Sequence, residues 1–174
     1  MQRDGQMKPH KQTRILQLTL TAVFAGLVAA TTMMIRLPIP ATTGYFNIGD
    51  AMIFVAALLF GPVVGGLAGG VGSAISDMIG YPLFVPYTLV IKGIEGWLVG
   101  KISRRTLKSD YIACLIGGAE MVLGYFVVEV FMFGLGAALE ELPFNMFQVV
   151  AGLAIGPATA LLLRRRMPSV LSWA

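Results

Sequence analysis

The chain has 174 residues, 56% of them hydrophobic and 13% charged, with several charge-free runs of about 20 residues. That balance excludes an ordinary soluble domain and points to an integral membrane protein. The net charge of +4 is no nucleic-acid signature, because the basic residues stand in short clusters between apolar runs and not on one face with interleaved aromatics.

Residues 1–12 form a basic tail, expected in the cytoplasm, and contain the sole histidine, His10. With one histidine and one distant cysteine, Cys114, neither a metal site nor a Ser-His or Cys-His catalytic pair can be assembled. The tail and the run behind it look like a secretory signal, but the apolar stretch to Ile35 exceeds the roughly 7–15 residues of such a core. It is read as a retained first span, 13–35. Small residues recur on it in two rows, Thr21, Ala25, Ala29 and Ala22, Gly26, Ala30, a spacing that lets another helix approach closely. Spacing alone leaves open whether that helix belongs to this chain or to a separate membrane subunit.

Pro38, Pro40 and Gly44 end the first helix and predict an irregular connection. Asp50 is expected to cap the helix that follows, and Asp77 to end the next. Between these two aspartates, 26 residues carry no charge, and Gly61-Pro62 breaks the run. Two short helices are therefore predicted, 47–61 and 62–79, followed by spans at 85–101, 111–136 and 143–163, with Glu140-Glu141-Leu142-Pro143 as the last outer connection. Counting sides supports the division. With six spans and both termini in the cytoplasm, eleven of the thirteen lysines and arginines fall inside, leaving Arg36 outside and Lys92 within the membrane. The expected fold is an all-α integral membrane protein, one domain of six transmembrane helices.

Charged groups at membrane depth are costly, by roughly 2.5–3.5 kcal/mol, and call for a partner, a cavity or a ligand. Lys92 and Glu95 share one helix face and could neutralise each other. Other polar groups belong to the same layer: Tyr125 and Glu129 on the fifth helix, Asn145 and Gln148 on the sixth, Tyr87 on the fourth, and Tyr45 and Asn47 on the first connection as a lid. Such a set predicts a pocket for a small polar heterocycle stacked on aromatics. Glu120 lies deeper, with no evident partner. No phosphate-binding loop occurs, so uphill movement would need ATPases on other chains. The competing reading is a ligand-free membrane scaffold; an enzyme is disfavoured.

Pro38-Ile39-Pro40, Gly44-Tyr45-Phe46-Asn47-Ile48-Gly49-Asp50, Gly61-Pro62, Gly72-Ser73-Ala74-Ile75-Ser76-Asp77, Gly80-Tyr81-Pro82 and Lys92-Gly93-Ile94-Glu95-Gly96 follow one another in an order that resembles the substrate-binding S components of energy-coupling factor (ECF) vitamin transporters. The resemblance covers nearly the whole chain. It implies a protein of a prokaryotic plasma membrane that captures a water-soluble vitamin or precursor and works with a transmembrane coupling subunit and two ATPases. It further implies that the S component topples in the membrane to release its cargo. The first external connection and helices four to six would form the site. The family's docking motif in the first helix matches Ala25-Gly26-Leu27-Val28-Ala29, so Ala22, Ala25, Gly26 and Ala29 would face the partner. The most similar branch takes riboflavin, pyridoxine or hydroxymethylpyrimidine.

Overall fold

Apolar side chains wrap the shortest helix on every side, and that places it at the centre of the others. In the computed structural model, which describes residues 9–38 and 45–166, this helix is α2, Gly49–Phe60, with Ile53, Phe54, Val55, Ala56, Leu58 and Leu59 all buried. Its 12 residues reach about 18 Å, well short of a hydrocarbon layer of about 30 Å. Neighbouring helices make up the difference. α1 (Pro9–Met34), α3 (Pro62–Gly80), α4 (Val85–Ile102) and α6 (Leu135–Arg166) pack on α2, and α5 (Leu107–Phe133) lies between α4 and α6.

The described residues are thus almost wholly helical. Arg14–Met34 of α1 and the whole of α3, α5 and α6 are long and apolar enough to cross a membrane. The first connection is more ordered than expected: β1 (Leu37–Pro38) pairs antiparallel with β2 (Tyr45–Phe46), setting Pro38 opposite Tyr45. Most of the basic tail and the segment 39–44 lie outside the described residues.

α2 and α3 meet at Gly61, whose φ of +84° suits glycine, and Pro62 opens α3 where its missing N–H costs nothing. The other break differs from expectation. Glu140 to Pro143 is not a connection but part of α6, and the chain turns earlier, at Gly134 with φ +88°. Pro143, which resembles a helix start, sits instead inside the helix on an exposed face; Pro157, also interior to the helix, is buried, where neighbouring helices enclose the backbone.

Successive helices run in opposite directions, giving the bundle a hairpin end, near β1 and β2, and a Gly61 end. The Gly61 end is dry: Leu58, Leu59, Val99, Ala113, Cys114 and Ala160 form one buried cluster with Phe54 and Val55. It is tied shut at its rim, where Arg164 donates to Asp110 at 2.5 Å and to the Leu58 carbonyl at 2.6 Å. Buried polar groups gather toward the hairpin end, among them Asn47, Asp50, Ser76, Asp77, Thr88, Glu129, Glu141, Asn145 and Gln148.

The position of α4 is set by backbone contact. A Cβ on Gly69 would lie 2.7 Å from the Lys92 carbonyl oxygen, and one on Gly70 would lie 2.6 Å from that of Leu89, so α3 must be glycine there for α4 to come this near. Gly69→Val is expected to force the helices apart at a cost of about 1–3 kcal/mol or more. Gly26→Val, where nothing lies within 4 Å, should be neutral. Thermal unfolding in detergent checks the pair, and equal melting temperatures would contradict the packing described.

Candidate functional site

The helix contact just described puts Lys92 in the interior, 3% exposed, against two carboxylates that are fully buried. Its Nζ forms an ion pair with Asp50 and lies 3.1 Å from Glu95 Oε2. Asp50 therefore does not cap α2: Ile48 holds the cap position without a side-chain bond, and Asp50, in the first turn, points inward at the lysine. A carboxylate with a buried cation in reach is held there in preference to the helix end, where water could serve. The cluster sets one amine between two carboxyl groups.

A chain of amides runs beside it. Asn47 Nδ2 donates to Gln148 Oε1 at 2.8 Å, Gln148 Nε2 to Asn145 Oδ1 at 3.0 Å, and Asn145 Nδ2 to Glu129 Oε1 at 3.3 Å. Asn47 Oδ1 also accepts from the Gly49 N–H at 2.8 Å, fixing the amide's orientation at the start of α2. Three elements are thereby joined, the first connection, α5 and α6.

The hairpin is fastened over this layer from the opposite side. Tyr45 stacks on Tyr81 with ring centroids 4.7 Å apart, and its hydroxyl donates to Asp77 at 2.5 Å. Burial, and then the Asp77 carboxylate, hold the Tyr45 phenol above its usual range, so it remains the donor. Arg36 lies 4.9 Å from the Tyr45 ring centroid and donates to the Ser76 carbonyl at 2.7 Å and to the Ser76 hydroxyl.

Between these parts lies a cavity with about 40 Å³ of open space, room for a few water molecules. Tyr45, Asn47, Lys92, Tyr125, Asn145 and Gln148 line it, together with Thr32, Ser73, Asp77, Tyr81, Phe84, Thr88 and Glu141. Glu95 and Glu129 stand behind the wall, bonded to Lys92 and Asn145. Tyr87 does not take part: it is 40% exposed and outside the lining. Its neighbour Thr88, one helical turn before Lys92, holds the inward position and accepts a hydrogen bond from Tyr125 at 2.9 Å. The 3.6-residue period could have chosen Thr88 over Tyr87. Glu141, one turn before Asn145, was hidden by the reading of its segment as a loop.

The small residues of α1 divide between two faces. Ala25 and Ala29 are buried, and Ala25 turns its carbonyl toward Gly72 of α3, whereas Ala22 and Gly26 are exposed. Packing within the chain thus uses one row and leaves the other free. Glu120 is partly buried on α5, with Oε2 unpartnered.

Residues 12–165 match the family model of the ECF-type riboflavin transporter S component. The chain belongs to that family. Among similar proteins, one from Pyrococcus woesei, described as an uncharacterized protein in gap 3′ region, is 47% identical over 83% of this chain and 99% of its own length. A second, the thiamine precursor transporter HmpT of Lactococcus lactis subsp. cremoris strain MG1363, is 29% identical over 91% of this chain and 94% of its own. As an ECF S component, the chain is a multi-pass membrane protein and part of a transporter, not of an enzyme family.

In this S component the Lys92 cluster ties α2 to α4 beneath the cavity. Removing the shared cation should be worse than removing one of its partners. Lys92→Met leaves two buried carboxylates unpaired, at an expected cost of about 3–5 kcal/mol, whereas Asp50→Asn leaves Glu95 in place and should cost less. Unfolding of both variants in detergent tests the order, and a less stable Asp50→Asn protein would contradict it.

Proposed function

We propose that this chain captures a small, water-soluble heterocycle, a vitamin or vitamin precursor, from outside the cell and passes it inward with a separate coupling subunit and two ATPases. The cavity at the hairpin end is the observation that carries this reading. It combines aromatic faces, Tyr45, Tyr81, Phe84 and Tyr125, with amides and charged groups fixed by their own bonds, the composition of a site that stacks a ring and reads its edges. All six helices would cross the plasma membrane of a prokaryote, with both termini in the cytoplasm. Supporting this, Arg14, Lys101, Arg104, Arg105, Lys108 and Arg164 to Arg166 all lie toward the Gly61 end, while Arg36 lies at the hairpin end. The exposed row of α1, Ala22 and Gly26, would receive the coupling subunit, and Ala25 and Ala29 would hold that row in place from behind.

With about 40 Å³ of open space, the cavity admits a ring only if its wall yields. The wall most able to do so is the hairpin, held by Tyr45, Arg36 and Asn47 and not by a helix core. A single-ring compound, such as a pyrimidine or pyridine, asks less movement than a three-ring flavin. The transport of a thiamine precursor by a relative agrees with that preference.

The scaffold alternative requires the buried polar groups to satisfy one another. Against it stands Asp50 Oδ2, buried without a protein hydrogen-bond partner among the described residues. Equilibrium dialysis of the purified protein against pyrimidines, pyridoxine and riboflavin tests the proposal. Asn145→Ala and Gln148→Ala should each weaken binding about 10- to 100-fold, by loss of hydrogen bonds at a buried site, and Tyr87→Ala should not. Binding unaffected by the first two changes would place the ligand elsewhere.

A further inference from the structure

Resting on that reading for its consequence, we infer that Glu141 and Glu129 hold one proton between them, carried on Glu141, and that this proton keeps the amides of the cavity in their binding orientation. Glu141 lines the cavity from α6 and is 4% exposed; Glu129 stands behind it on α5 and is fully buried. Their carboxyl groups are hydrogen-bonded to each other. An ionised carboxylate has no hydrogen to give, so a bond between two carboxyl groups requires a proton on one of them.

The neighbouring bonds decide which one. The amides all donate in the same direction, Asn47 to Gln148, Gln148 to Asn145 and Asn145 to Glu129. The first of them is set by the Gly49 N–H, which can only donate and so makes Asn47 Oδ1 an acceptor and Asn47 Nδ2 a donor. The far end of the chain therefore points an N–H at Glu129 Oε1. Negative charge settles where N–H groups point, which puts it on Glu129 and leaves the proton on Glu141. Glu141 is thus a positioning residue: its O–H holds Glu129, and Glu129 anchors the amide chain that lines the cavity.

Other ionisable groups face the same cavity but are engaged elsewhere. From α4, Lys92 pairs with Asp50 of α2 and with Glu95; from α3, Asp77 accepts from Tyr45 of the hairpin, on which Tyr81 stacks; from α5, Tyr125 donates to Thr88. Arg36 donates to Ser76 and lies over the Tyr45 ring, with Nε unpartnered. Among the described residues no cation is bonded to the acid pair. Loss of its proton would leave two carboxylates in contact and release Asn145. The folded pair binds one proton that the separated carboxyls of an unfolded chain would give up, so raising the pH until that proton leaves takes stability away, and capture weakens with it.

Infrared difference spectroscopy of the purified protein reads the proton, because a protonated carboxyl has a carbonyl stretch separate from the carboxylate bands. At neutral pH, Glu141→Gln should remove part of the carboxylic-acid band, and Glu140→Gln, at an exposed neighbouring position, should keep it. Raising the pH from about 6 to about 9 should lower the wild-type melting temperature by about 5 °C or more, and that of Glu141→Gln, whose amide N–H replaces the O–H, by less than half as much. In equilibrium dialysis against pyrimidines, pyridoxine and riboflavin, a compound that binds should weaken over that range about 10-fold more for wild type than for Glu141→Gln, titration of the compound itself being common to both. An acid band unchanged by Glu141→Gln, or equal pH dependence of unfolding in the two proteins, overturns the shared proton whether or not a compound binds. A compound bound with the same pH dependence by both proteins overturns the link to capture alone. If no compound binds wild type, the capture reading and that link fall, while the infrared and unfolding results still decide the proton.

Discussion

A lysine ammonium placed at the depth of a membrane bundle is tolerated only where the surrounding chain neutralises it, and Lys92 has Asp50 from α2 on one side and Glu95 from its own helix on the other. Much of the architecture follows from meeting that condition. α2 must start beside α4 for Asp50 to reach, which is possible because α2 is short and encased. α4 must lie hard against α3 for Lys92 to turn inward, which is possible because Gly65, Gly66, Gly69 and Gly70 present bare backbone. The ion cluster thus ties α2 to α4, the glycine contact sets α4 against α3, and the floor of the cavity is fixed by the two together.

Above that floor the molecule is divided by polarity. The Gly61 end is filled with close-packed apolar side chains and closed by Arg164 and Asp110, so nothing in it invites a polar ligand. The hairpin end is held by individual bonds, Tyr45 to Asp77, Arg36 to Ser76 and Asn47 to Gln148, each exchangeable for a bond to water or ligand. A close-packed half and a half fastened by single hydrogen bonds are what the proposed capture would draw on. The large grooves along α3 with α4 and along α5 with α6 are lined by apolar side chains apart from Glu120, as surfaces facing lipid would be.

How much of this could be read from the residues depends on which signal was local. The α2–α3 break was legible because Gly61-Pro62 states it in two residues. Asn145 and Gln148 share a helix face by spacing alone, and their presence in the cavity wall follows once α6 packs against α5. Asp50 was misjudged because an aspartate at a helix start usually serves the helix end; its partner is 42 residues away, and only the fold brings Lys92 to it. Glu141 was missed because Pro143 imitates a helix start, and no local rule says that α6 already began at Leu135. The two rows of small residues on α1 are equivalent in sequence, and the placement of α3 alone decides which one is covered.

An experimental structure of the protein with a pyrimidine bound would test the central claim, that the groups organised around Lys92 form the ligand site. The account predicts the ring between Tyr45 and Tyr125, with its edges on Asn145, Gln148 and Glu141 and the Asp50–Lys92–Glu95 cluster intact beneath it. A ligand seated instead in a lipid-facing groove, or one whose binding pulls Lys92 away from both carboxylates, would contradict it.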